Sequence, residues 1–466
     1  MKTIFIPLFS GVEAKNIIRT GVYDLLREEH GVRIVLLFRN AQLADVYRAM
    51  CANPETTIVV LPPFVRTRAE RFFSRLKMYL LRTKTVDLRR RVHYVENGSA
   101  ARFAFSLLFN RAFARSWFRR IARFADKHLV MHKEYATVFE EYRPDLIFLA
   151  DLFDDQEAAL LGEAKRRGVL SVGLVNTWDR VTTRWMLRHL PDRFIAFNEI
   201  VRAELAEYAD MPVERVRVCG TVQHDHLVRG PFAKRGEFLS SLGLPQDARF
   251  VLYAPLGAHF DTTRPELDRA LVSILAEWFE SGAFNERNLY LLVRFHPNDP
   301  VHLEEWPKHP RIVYDIPGVK FREALPDARF ARTRGQNWDM TESDLARLRN
   351  SLHYASAVVC YYTSLSIDAA VAGVPVININ FDIKDGKEIS RMHPYYQSTH
   401  YQKAAATGGI RLVGSLAKLR TALGEYITNP ERDRASRERL TSEQCYRLDG
   451  NSDRRLASEI LAVLPR

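Results

Sequence analysis

The first half of the chain alternates short apolar runs with segments of helical periodicity. Continuous apolar runs such as TIFIPLF, RIVLLF and TTIVVL stand between segments whose apolar residues recur every three to four positions. One such segment, NIIRTGVYDLLREEHG, predicts a single helix that ends at Gly31. Strands that are apolar on both faces are typical of parallel sheets covered by helices. The pattern therefore predicts a parallel α/β sheet.

The second half repeats the alternation. Strand-like runs such as RFVLYAP, NLYLLVRF and VPVININF alternate with helical patterns, among them one over residues 265–280. A stretch rich in Gly, Pro, Ser and charge, residues 228–250, separates the halves and is a candidate linker. Two such halves predict two doubly wound, Rossmann-like α/β domains that face a central cleft, with ligands bound beyond the carboxyl ends of the strands.

The predicted domain limits follow from this division. We expect an N-terminal domain over residues 1–228, with a basic helical insertion at about residues 64–135. A C-terminal domain is expected over residues 245–430. Residues 431–466 are expected to form a helical segment that packs back toward the N-terminal domain.

Composition excludes several classes of protein. A hydrophobic fraction of 47% indicates a globular chain and not a disordered one. The opening MKTIFIPLFSG fits a first core strand better than a secretion signal, and no window has the roughly 20 apolar residues of a membrane span. The four cysteines show no CxxC spacing, which predicts reduced thiols and neither a zinc site nor disulfides. We therefore expect a cytoplasmic protein.

Positive charge is concentrated in one segment. Residues 64–125 carry 16 Arg and Lys against three acids, a net charge of +13, whereas the whole chain carries +12. Arginines alternate there with Phe, Leu and Trp at roughly helical spacing, which is typical of helices on anionic membrane surfaces. A helical hairpin with a solvated basic face would show the same pattern. Because no nucleic-acid-binding motif is present, we expect an anionic membrane surface as partner and no nucleic acid.

The stretch CYYTSLSIDAAVAGVPVININFD, from Cys360 to Asp382, places hydroxyls and a carboxylate between two apolar runs. Thr363 and Ser364 fall where a strand turns into a helix, and Asp368 follows one helical turn later. Unpaired N–H groups at the start of a helix favour phosphate oxygens, and a carboxylate accepts ribose hydroxyls. An ordinary helix cap uses the same residue types, so spacing alone leaves both interpretations open.

The same stretch resembles the donor-binding segment of CDP-glycerol glycerophosphotransferases and of capsule and surface-polysaccharide glycosyltransferases. It is more distantly similar to that of UDP-GlcNAc 2-epimerases. The segments VLYAP, VRFHPND, VRVCGTVQHDHL, GLVNTWDRVTTR and RLDGNSDRR resemble further elements of these families, so that the resemblance spans roughly residues 140–460. It implies the GT-B fold, in which two Rossmann-like domains face a cleft, and a nucleotide-activated donor.

The resemblance also implies roles for individual residues of the C-terminal domain. Thr363 and Ser364 would bind the donor diphosphate, and Asp368 would bind the ribose. His296, at a strand end, would donate to the donor phosphate with Arg294 as a helper. For His296 the alternative is a strand terminus in which the imidazole bonds to the backbone.

Transfer to a hydroxyl needs a base, which the resemblance places in the N-terminal domain. Asp179 follows GLVNTW and Asp151 follows DLIFLA, and these two are the candidate catalytic residues. Other acids near strand ends are Glu13, Asp154 and Asp155. For each single acid, a helix cap or a surface position is the alternative. The HDH of residues 224–226 lacks a suitably spaced third ligand, so no metal and no cofactor other than the donor substrate is predicted.

These observations predict a metal-independent glycosyltransferase that builds a cell-surface polysaccharide at the cytoplasmic face of the membrane. Its partners would be a nucleotide-sugar donor and a glycan or lipid-linked acceptor. A glycerophosphotransferase using CDP-glycerol and a UDP-sugar 2-epimerase are alternatives on the same fold. Departures from the families' pattern, such as LGAH at 256–259 and a basic stretch at 321–340, leave the donor open. A non-catalytic scaffold of a membrane assembly is the alternative of another class.

Overall fold

The computed structural model describes residues 1–229, 233–257, 265–297, 299, 301–320, 338–389 and 393–465. The chain forms two compact units. The first comprises Met1–Gln223, Gln397–His400 and Cys445–Arg466, and the second comprises His224–Tyr396 and Tyr401–Gln444. Among the described helices, none combines the length and the apolar character needed to cross a membrane. All four cysteines are buried and free.

Seven parallel strands form the sheet of the first unit. They are β1 (Lys2–Leu8), β2 (Val32–Phe38), β3 (Thr56–Val60), β4 (Leu146–Leu149), β5 (Leu170–Leu174), β6 (Arg193–Ala196) and β7 (Val216–Val218). Their order is β3-β2-β1-β4-β5-β6-β7, with Phe5 of β1 paired to Val35 on one side and Ile147 on the other. This is the Rossmann order extended by one strand, in which the direction of strand addition across the sheet reverses between β1 and β4.

Helices cover this sheet and fill the basic segment between β3 and β4. They are α1 (Gly11–Ile17), α2 (Gly21–Arg27), α3 (Ala41–Arg48), α4 (Arg68–Leu76), α5 (Lys84–Asn97), α6 (Ala100–Phe113), α7 (Ser116–Leu129), α8 (Ala136–Tyr142), α9 (Asp155–Arg166), α10 (Arg180–Thr183) and α11 (Glu199–Ala209). The predicted insertion thus consists of helices α4 to α7. Its side chains pack on the first unit through buried ion pairs.

The predicted single helix from Asn16 to Gly31 is wrong, because the chain forms α1 and α2 with a break between them. The Thr20 hydroxyl donates to the carbonyl of Asn16 at 2.7 Å and accepts from the N–H of Val22 at 3.4 Å. One side chain therefore ends the first helix and caps the next. Helix α2 ends at Arg27, before Gly31.

The second unit repeats the architecture. Its strands are β8 (Arg249–Tyr253), β9 (Leu289–Arg294), β10 (Ile312–Asp315), β11 (Val319–Lys320), β12 (Trp338–Asp339), β13 (Ala357–Cys360), β14 (Val376–Ile379), β15 (Asp382–Lys384), β16 (Lys387–Ile389) and β17 (Arg411–Val413). Six of them form a parallel sheet in the order β10-β9-β8-β13-β14-β17, and β11–β12 and β15–β16 are antiparallel pairs. The six-stranded order is again that of a Rossmann domain.

The remaining helices follow β7. They are α12 (Val222–Arg229), α13 (Arg235–Ser241), α14 (Pro265–Glu280), α15 (Glu342–Tyr354), α16 (Leu365–Val371), α17 (Thr399–Ala405), α18 (Leu416–Thr428), α19 (Arg434–Cys445) and α20 (Ser452–Leu461). The helix predicted over 265–280 and the α/β class with two Rossmann-like domains are confirmed. Part of the predicted linker and most of the stretch 321–340 lie outside the described residues.

Helix α20 packs against the first unit at two glycines. A Cβ atom on Gly21 would lie 2.3 Å from Asp453 Oδ2, and one on Gly220 would lie 2.6 Å from Ser452 Oγ. Arg455 also donates through Nε to the carbonyl of Cys219 at 2.7 Å. The absence of side chains at both glycines therefore permits the close approach of α20.

A buried arginine anchors helices α4 and α7. The Arg188 guanidinium donates to both carboxylate oxygens of Glu70 on α4 and, at 2.7 and 2.8 Å, to Asp126 on α7. Burial alone would raise the pKa of Glu70, but hydrogen bonds from His132 and Arg188 lower it to about 2. Part of the basic charge of the segment is likewise structural, since carboxylates hold several of its cations: Lys77, Arg90, Arg111, Arg119 and Arg123.

Candidate functional site

Thr363 and Ser364 lie in the turn between β13 and α16, at the carboxyl end of the central strands of the second unit. Thr363 is half-buried and Ser364 is exposed. Ser364 occupies the cap position of α16 but makes no side-chain cap hydrogen bond. Its hydroxyl is therefore not used as an ordinary helix cap. Thr363 is held differently, since its hydroxyl accepts weakly from the N–H of Leu365 at 3.4 Å.

A buried polar network supports this turn from below. The Asn378 amide on β14 donates to the Ser366 hydroxyl and to the Cys360 sulfur, each at 3.1 Å. Tyr401 donates to the Asn378 carbonyl oxygen at 2.7 Å. Ser366 thus belongs to the core, although the sequence places it in the same hydroxyl cluster as Thr363. Satisfied buried networks of this kind fix local geometry, here the start of α16 against β13 and β14.

A second buried group holds the neighbouring strand ends. The Asp268 carboxylate at the start of α14 accepts from the hydroxyls of Tyr253 and Tyr361, at 2.5 and 2.9 Å. It also accepts from the N–H of Leu256 at 3.1 Å. Because Tyr253 ends β8 and Tyr361 follows β13, this carboxylate ties two adjacent strand ends together. Residues 258–264, which include His259 of the LGAH motif, lie outside the described residues.

Asp368 forms an ion-pair geometry that the sequence did not indicate. His224 Nε2 lies 3.0 Å from Asp368 Oδ1, and both residues belong to the second unit. His224 is buried and Asp368 is half-buried. The imidazole therefore fixes the orientation of the carboxylate through Oδ1. In the sequence the only signal was the HDH motif, which lies 144 residues from Asp368.

His296 and Arg294 have different surroundings at the end of β9. Arg294 is buried, and its guanidinium donates to Asp315 and, at 3.1 Å, to the carbonyl of Asp344. His296 is half-buried and stacks edge-on against Trp338, with ring centroids 5.8 Å apart. Since β8 separates β9 from β13, His296 lies about 10 Å across the sheet from the Thr363 turn. Of this pair, His296 alone has an accessible side chain.

In the first unit, Asp151 lies two residues after the end of β4. Its Oδ2 pairs with the Arg180 guanidinium at 3.1 Å, and Arg180 also donates through Nε to the Asn176 side-chain oxygen at 3.0 Å. Asp151 Oδ1 and Asn176 Nδ2 are buried without a hydrogen-bond partner in the described structure. An acceptor oxygen and a donor nitrogen are therefore both unused beside one arginine.

Asp179 is held in a polar setting near the same arginine. The Thr177 hydroxyl donates to Oδ1 at 2.6 Å and the Thr183 hydroxyl donates to Oδ2 at 3.1 Å. Burial would raise the pKa of Asp179, but the positive charges of His400 and Arg180 lower it below its ordinary value. Asp179 is thus ionised at neutral pH and is a weak base. Arg180 lies close to both catalytic candidates, and the sequence did not identify it.

Glu13 and Glu157 form a buried acidic cluster with Asp151. The N–H groups of Phe9 and Ser10 donate to Glu13, and the N–H of Asp151 donates to Glu157 at 2.8 Å. Burial and the charge of Asp151 raise the pKa of Glu13 to about 8. Burial and the charge of Glu13 also raise the pKa of Glu157. The Glu13 carboxyl hence carries a proton at neutral pH.

The two other acids named from the sequence have structural partners. Asp154 caps α9 by accepting from the N–H of Gln156 at 2.8 Å, and it pairs with Arg39 at 3.0 Å. Asp155 pairs with Lys77 at 2.5 Å. The helix-cap alternative therefore describes Asp154. Sequence reasoning missed Glu157, although the run DLFDDQE after β4 already showed a concentration of acids.

The structure thus brings the predicted residues together in two groups. Thr363, Ser364 and Asp368 lie at one strand-to-helix turn of the second unit, whereas Asp151 and Asp179 lie around Arg180 in the first. Within the part of the chain that the structure describes, no group of three or more His, Cys, Asp or Glu side chains is arranged to hold a metal ion.

Comparisons with known proteins identify the fold. No family model matches the chain, and no curated protein matches it. The UDP-GlcNAc 2-epimerase from Neisseria meningitidis, solved with UDP-GlcNAc bound, matches with a TM-score of 0.56 at 12% identity, over 99% of this chain and 100% of that one. The glycotransferase of kitacinnamycin matches with a TM-score of 0.52 at 14% identity, over 100% and 99%.

A third solved structure extends the range of activities. The wall teichoic acid polymerase TagF matches with a TM-score of 0.50 at 12% identity, over 99% of this chain and 88% of that one. An epimerase, a glycosyltransferase and a polymerase thus share this architecture, and identities this low establish the fold alone. The chain has the GT-B fold that these enzymes have in common.

Proposed function

We propose that this protein is a glycosyltransferase that moves a sugar from a nucleotide-activated donor onto a growing cell-surface glycan. The reaction takes place at the cytoplasmic face of the membrane, to which the protein attaches peripherally, and it uses no metal. The acceptor is a glycan or a lipid-linked glycan.

One observation carries the proposal. In a GT-B fold, an accessible hydroxyl that caps nothing, Ser364, lies beside Thr363 and one turn before a carboxylate, Asp368, whose orientation is fixed by His224. This set suits a nucleoside diphosphate, because hydroxyls bind phosphate oxygens and a carboxylate accepts the ribose hydroxyls. The solved relatives add support, since one of them was crystallised with UDP-GlcNAc.

In the proposed reaction, the bond between the anomeric carbon and the diphosphate oxygen breaks, and the electron pair leaves with the diphosphate. The acceptor hydroxyl forms the new bond to that carbon and gives its proton to Asp151, which acts as the base. Thr363, Ser364 and His296 stabilise the leaving diphosphate, and Arg294 supports the end of β9 through Asp315.

Asp151 is preferred over Asp179 as the base for an electrostatic reason. A general base works best when its pKa lies near the working pH, and the lowered pKa of Asp179 makes it a poor proton acceptor. In this proposal Asp179 instead keeps Arg180 in position. Asp151 Oδ1, in contrast, has no hydrogen-bond partner in the described structure, whereas both carboxylate oxygens of Asp179 accept from threonine hydroxyls.

The test is a thermal-shift screen of nucleotides followed by an affinity measurement on Asp368→Asn. We expect stabilisation by a nucleoside diphosphate and a loss of affinity of about tenfold or more in the variant, because a hydrogen bond to a charged group is lost. Asp385→Asn, in an exposed turn of the same unit, is the control and should bind like the parent protein. If no nucleotide stabilises the protein, the non-catalytic scaffold is the better description.

Epimerisation of a UDP-sugar is the second candidate, favoured by the match to the UDP-GlcNAc 2-epimerase. Product analysis separates the possibilities. Release of a nucleoside diphosphate that depends on an acceptor indicates sugar transfer, and an isomerised nucleotide sugar without acceptor indicates epimerisation. Release of CMP indicates glycerophosphate transfer from CDP-glycerol or sugar transfer from a CMP-sugar donor.

A further inference from the structure

Helix α7 carries an apolar stripe that its own unit does not cover. Trp117, Ile121 and Phe124 recur at positions i, i+4 and i+7 and so share one face of the helix. Their side chains are 54%, 55% and 68% exposed, whereas Ala122 and Asp126 on the other side are buried. Single exposed apolar residues are ordinary, but a continuous stripe of large ones marks an interaction surface.

Helix α6 also carries exposed apolar side chains. Phe105 and Leu108 are 58% and 69% exposed and lie one helical turn apart. Phe113 connects the two helices, since its ring contacts Phe109 on α6 at 4.7 Å and Phe118 on α7 at 4.9 Å between centroids. The exposed side chains of α6 and α7 therefore belong to two helices that pack against each other through these rings.

A pocket of about 660 Å³ lies directly beside the stripe. Trp117 forms part of its wall, together with three exposed arginines: Arg82, Arg115 and Arg120. None of these three pairs with a carboxylate in the described part of the chain, whereas Arg119 in the same wall is held by Asp210. Glu207 is an acid in the lining, so that the pocket keeps a net positive charge.

We infer that this pocket seats the phosphate groups of anionic membrane lipids while the exposed apolar side chains of α6 and α7 enter the bilayer interface. The pocket and the stripe together are called the docking face. Guanidinium groups bind phosphate through two parallel hydrogen bonds, and an apolar helix face flanked by cations is the arrangement of interfacial helices. The arginines of the docking face thus suit the lipid phosphates, and its apolar side chains suit the bilayer interface.

The apolar stripe decides between a bilayer and other polyanions. A soluble phosphate would need the arginines but would leave Ile121, Phe124 and Leu108 exposed. A single-stranded nucleic acid would stack on flat aromatic rings, to which the aliphatic Ile121 and Leu108 add nothing. A bilayer uses both features at once, because headgroup phosphates and acyl chains lie within a few ångströms of each other.

This inference rests on the membrane attachment in the proposed function, but not on its transfer chemistry. The experiment is flotation of the full-length protein with vesicles of phosphatidylcholine, or of an equimolar mixture of phosphatidylcholine and phosphatidylglycerol. We expect the protein to float with the mixed vesicles and to stay in solution with the neutral ones. Nucleotide binding, measured on the same preparation by thermal shift, reports on the proposed function separately.

Two sets of variants locate the contact. Arg115→Glu with Arg120→Glu should weaken binding to the mixed vesicles by about tenfold or more, since each cation near an anionic surface contributes measurably. Trp117→Ser with Phe124→Ser should also weaken it, because the apolar contact is lost. Lys234→Glu with Lys418→Glu, exposed in the second unit, is the charge-matched control and should bind like the parent protein. All four substituted positions of the docking face are exposed, so that the variants should keep the parent melting temperature.

Equal flotation with neutral and mixed vesicles, or an equal loss of binding in the docking-face and control variants, would overturn the inference. Displacement from the vesicles by inorganic phosphate, at the lipid phosphate concentration, would overturn it and indicate a site for a soluble phosphate. Tighter binding to single-stranded RNA than to the mixed vesicles would overturn it and indicate a nucleic-acid surface. If docking fails while nucleotides still stabilise the protein, the transferase proposal stands without this surface.

Discussion

Burial determines the charge of individual acids in this protein. Glu13 keeps its proton near neutral pH because burial and the charge of Asp151 raise its pKa to about 8, and burial and the charge of Glu13 raise the pKa of Glu157. Asp179, which is also held inside polar surroundings, stays ionised because His400 and Arg180 lower its pKa. Acids that look alike in the sequence thus differ in protonation. Their charge states depend on neighbouring residues that the local sequence around each acid does not identify.

The first prediction concerns Glu13 and alkaline pH. Because the pKa of Glu13 in the folded state lies at about 8, above its ordinary value, its stabilising contribution is fully present in acid and is lost as pH rises through about 8. The free energy of unfolding of the parent protein should therefore fall between mildly acidic pH and pH about 9. The size of the pKa shift of Glu13 corresponds to a fall of about a few kcal/mol.

Glu13→Gln should remove most of this fall, since the amide stays neutral and can still accept from Ser10. Urea denaturation at several pH values measures the effect. Glu28→Gln on the exposed end of α2 serves as the control and should follow the parent profile. Parallel pH profiles for the parent protein and Glu13→Gln would show that Glu13 does not hold the proton.

At the scale of elements, the strands were predictable and several connections were not. Runs such as TIFIPLF and RIVLLF predicted β1 and β2 because a strand buried on both faces has little choice of residue. The break between α1 and α2 depends on one hydroxyl, Thr20, which a periodicity of apolar residues does not register. Arg188 binds Asp126 and Glu70, which lie 62 and 118 residues away in the sequence, and a local sequence pattern cannot predict such contacts.

The second prediction concerns that anchor. Arg188→Met should leave the buried carboxylates of Glu70 and Asp126 without their arginine, and breaking a buried ion pair typically costs about 3–5 kcal/mol. We expect α4 and α7 to exchange amide hydrogens faster while β1 and β2 stay protected, as followed by hydrogen exchange with mass spectrometry. Arg91→Met, at an exposed position of α5, is the control.

Neutralising the two acids tests the cause. Adding Glu70→Gln and Asp126→Asn to Arg188→Met should restore part of the protection, because no unpaired charge is then buried. Equal exchange in Arg188→Met and Arg91→Met would mean that packing alone holds these helices.

For the molecule as a whole, the sequence predicted the number and type of domains better than the chemistry of the site. Two rounds of strand and helix patterns predicted two Rossmann-like sheets, and both strand orders confirm them. The turn at Thr363 and Ser364 was also visible, since apolar runs bound it on both sides. The contact between His224 and Asp368 required the fold, because α12 and α16 lie far apart in the chain.

The third prediction follows from this division into units. A nucleotide selected in the thermal-shift screen should slow amide exchange in the segment that joins β13 to α16 and at the end of β9. Strand β2 of the first unit should exchange at the same rate with and without the nucleotide. Protection confined to the first unit would place the nucleotide elsewhere and remove the assignment of Thr363 and Ser364.

The packing of α20 has a consequence for biosynthesis. Residues 445–465 leave the ribosome after the whole second unit, yet they cover Gly21 and Gly220 of the first. The second unit can therefore fold during translation while the first still lacks one of its helices. A nascent chain cut short before Ser452 would carry a complete second unit joined to an incomplete first unit, and such products should be the preferred targets of cellular proteases.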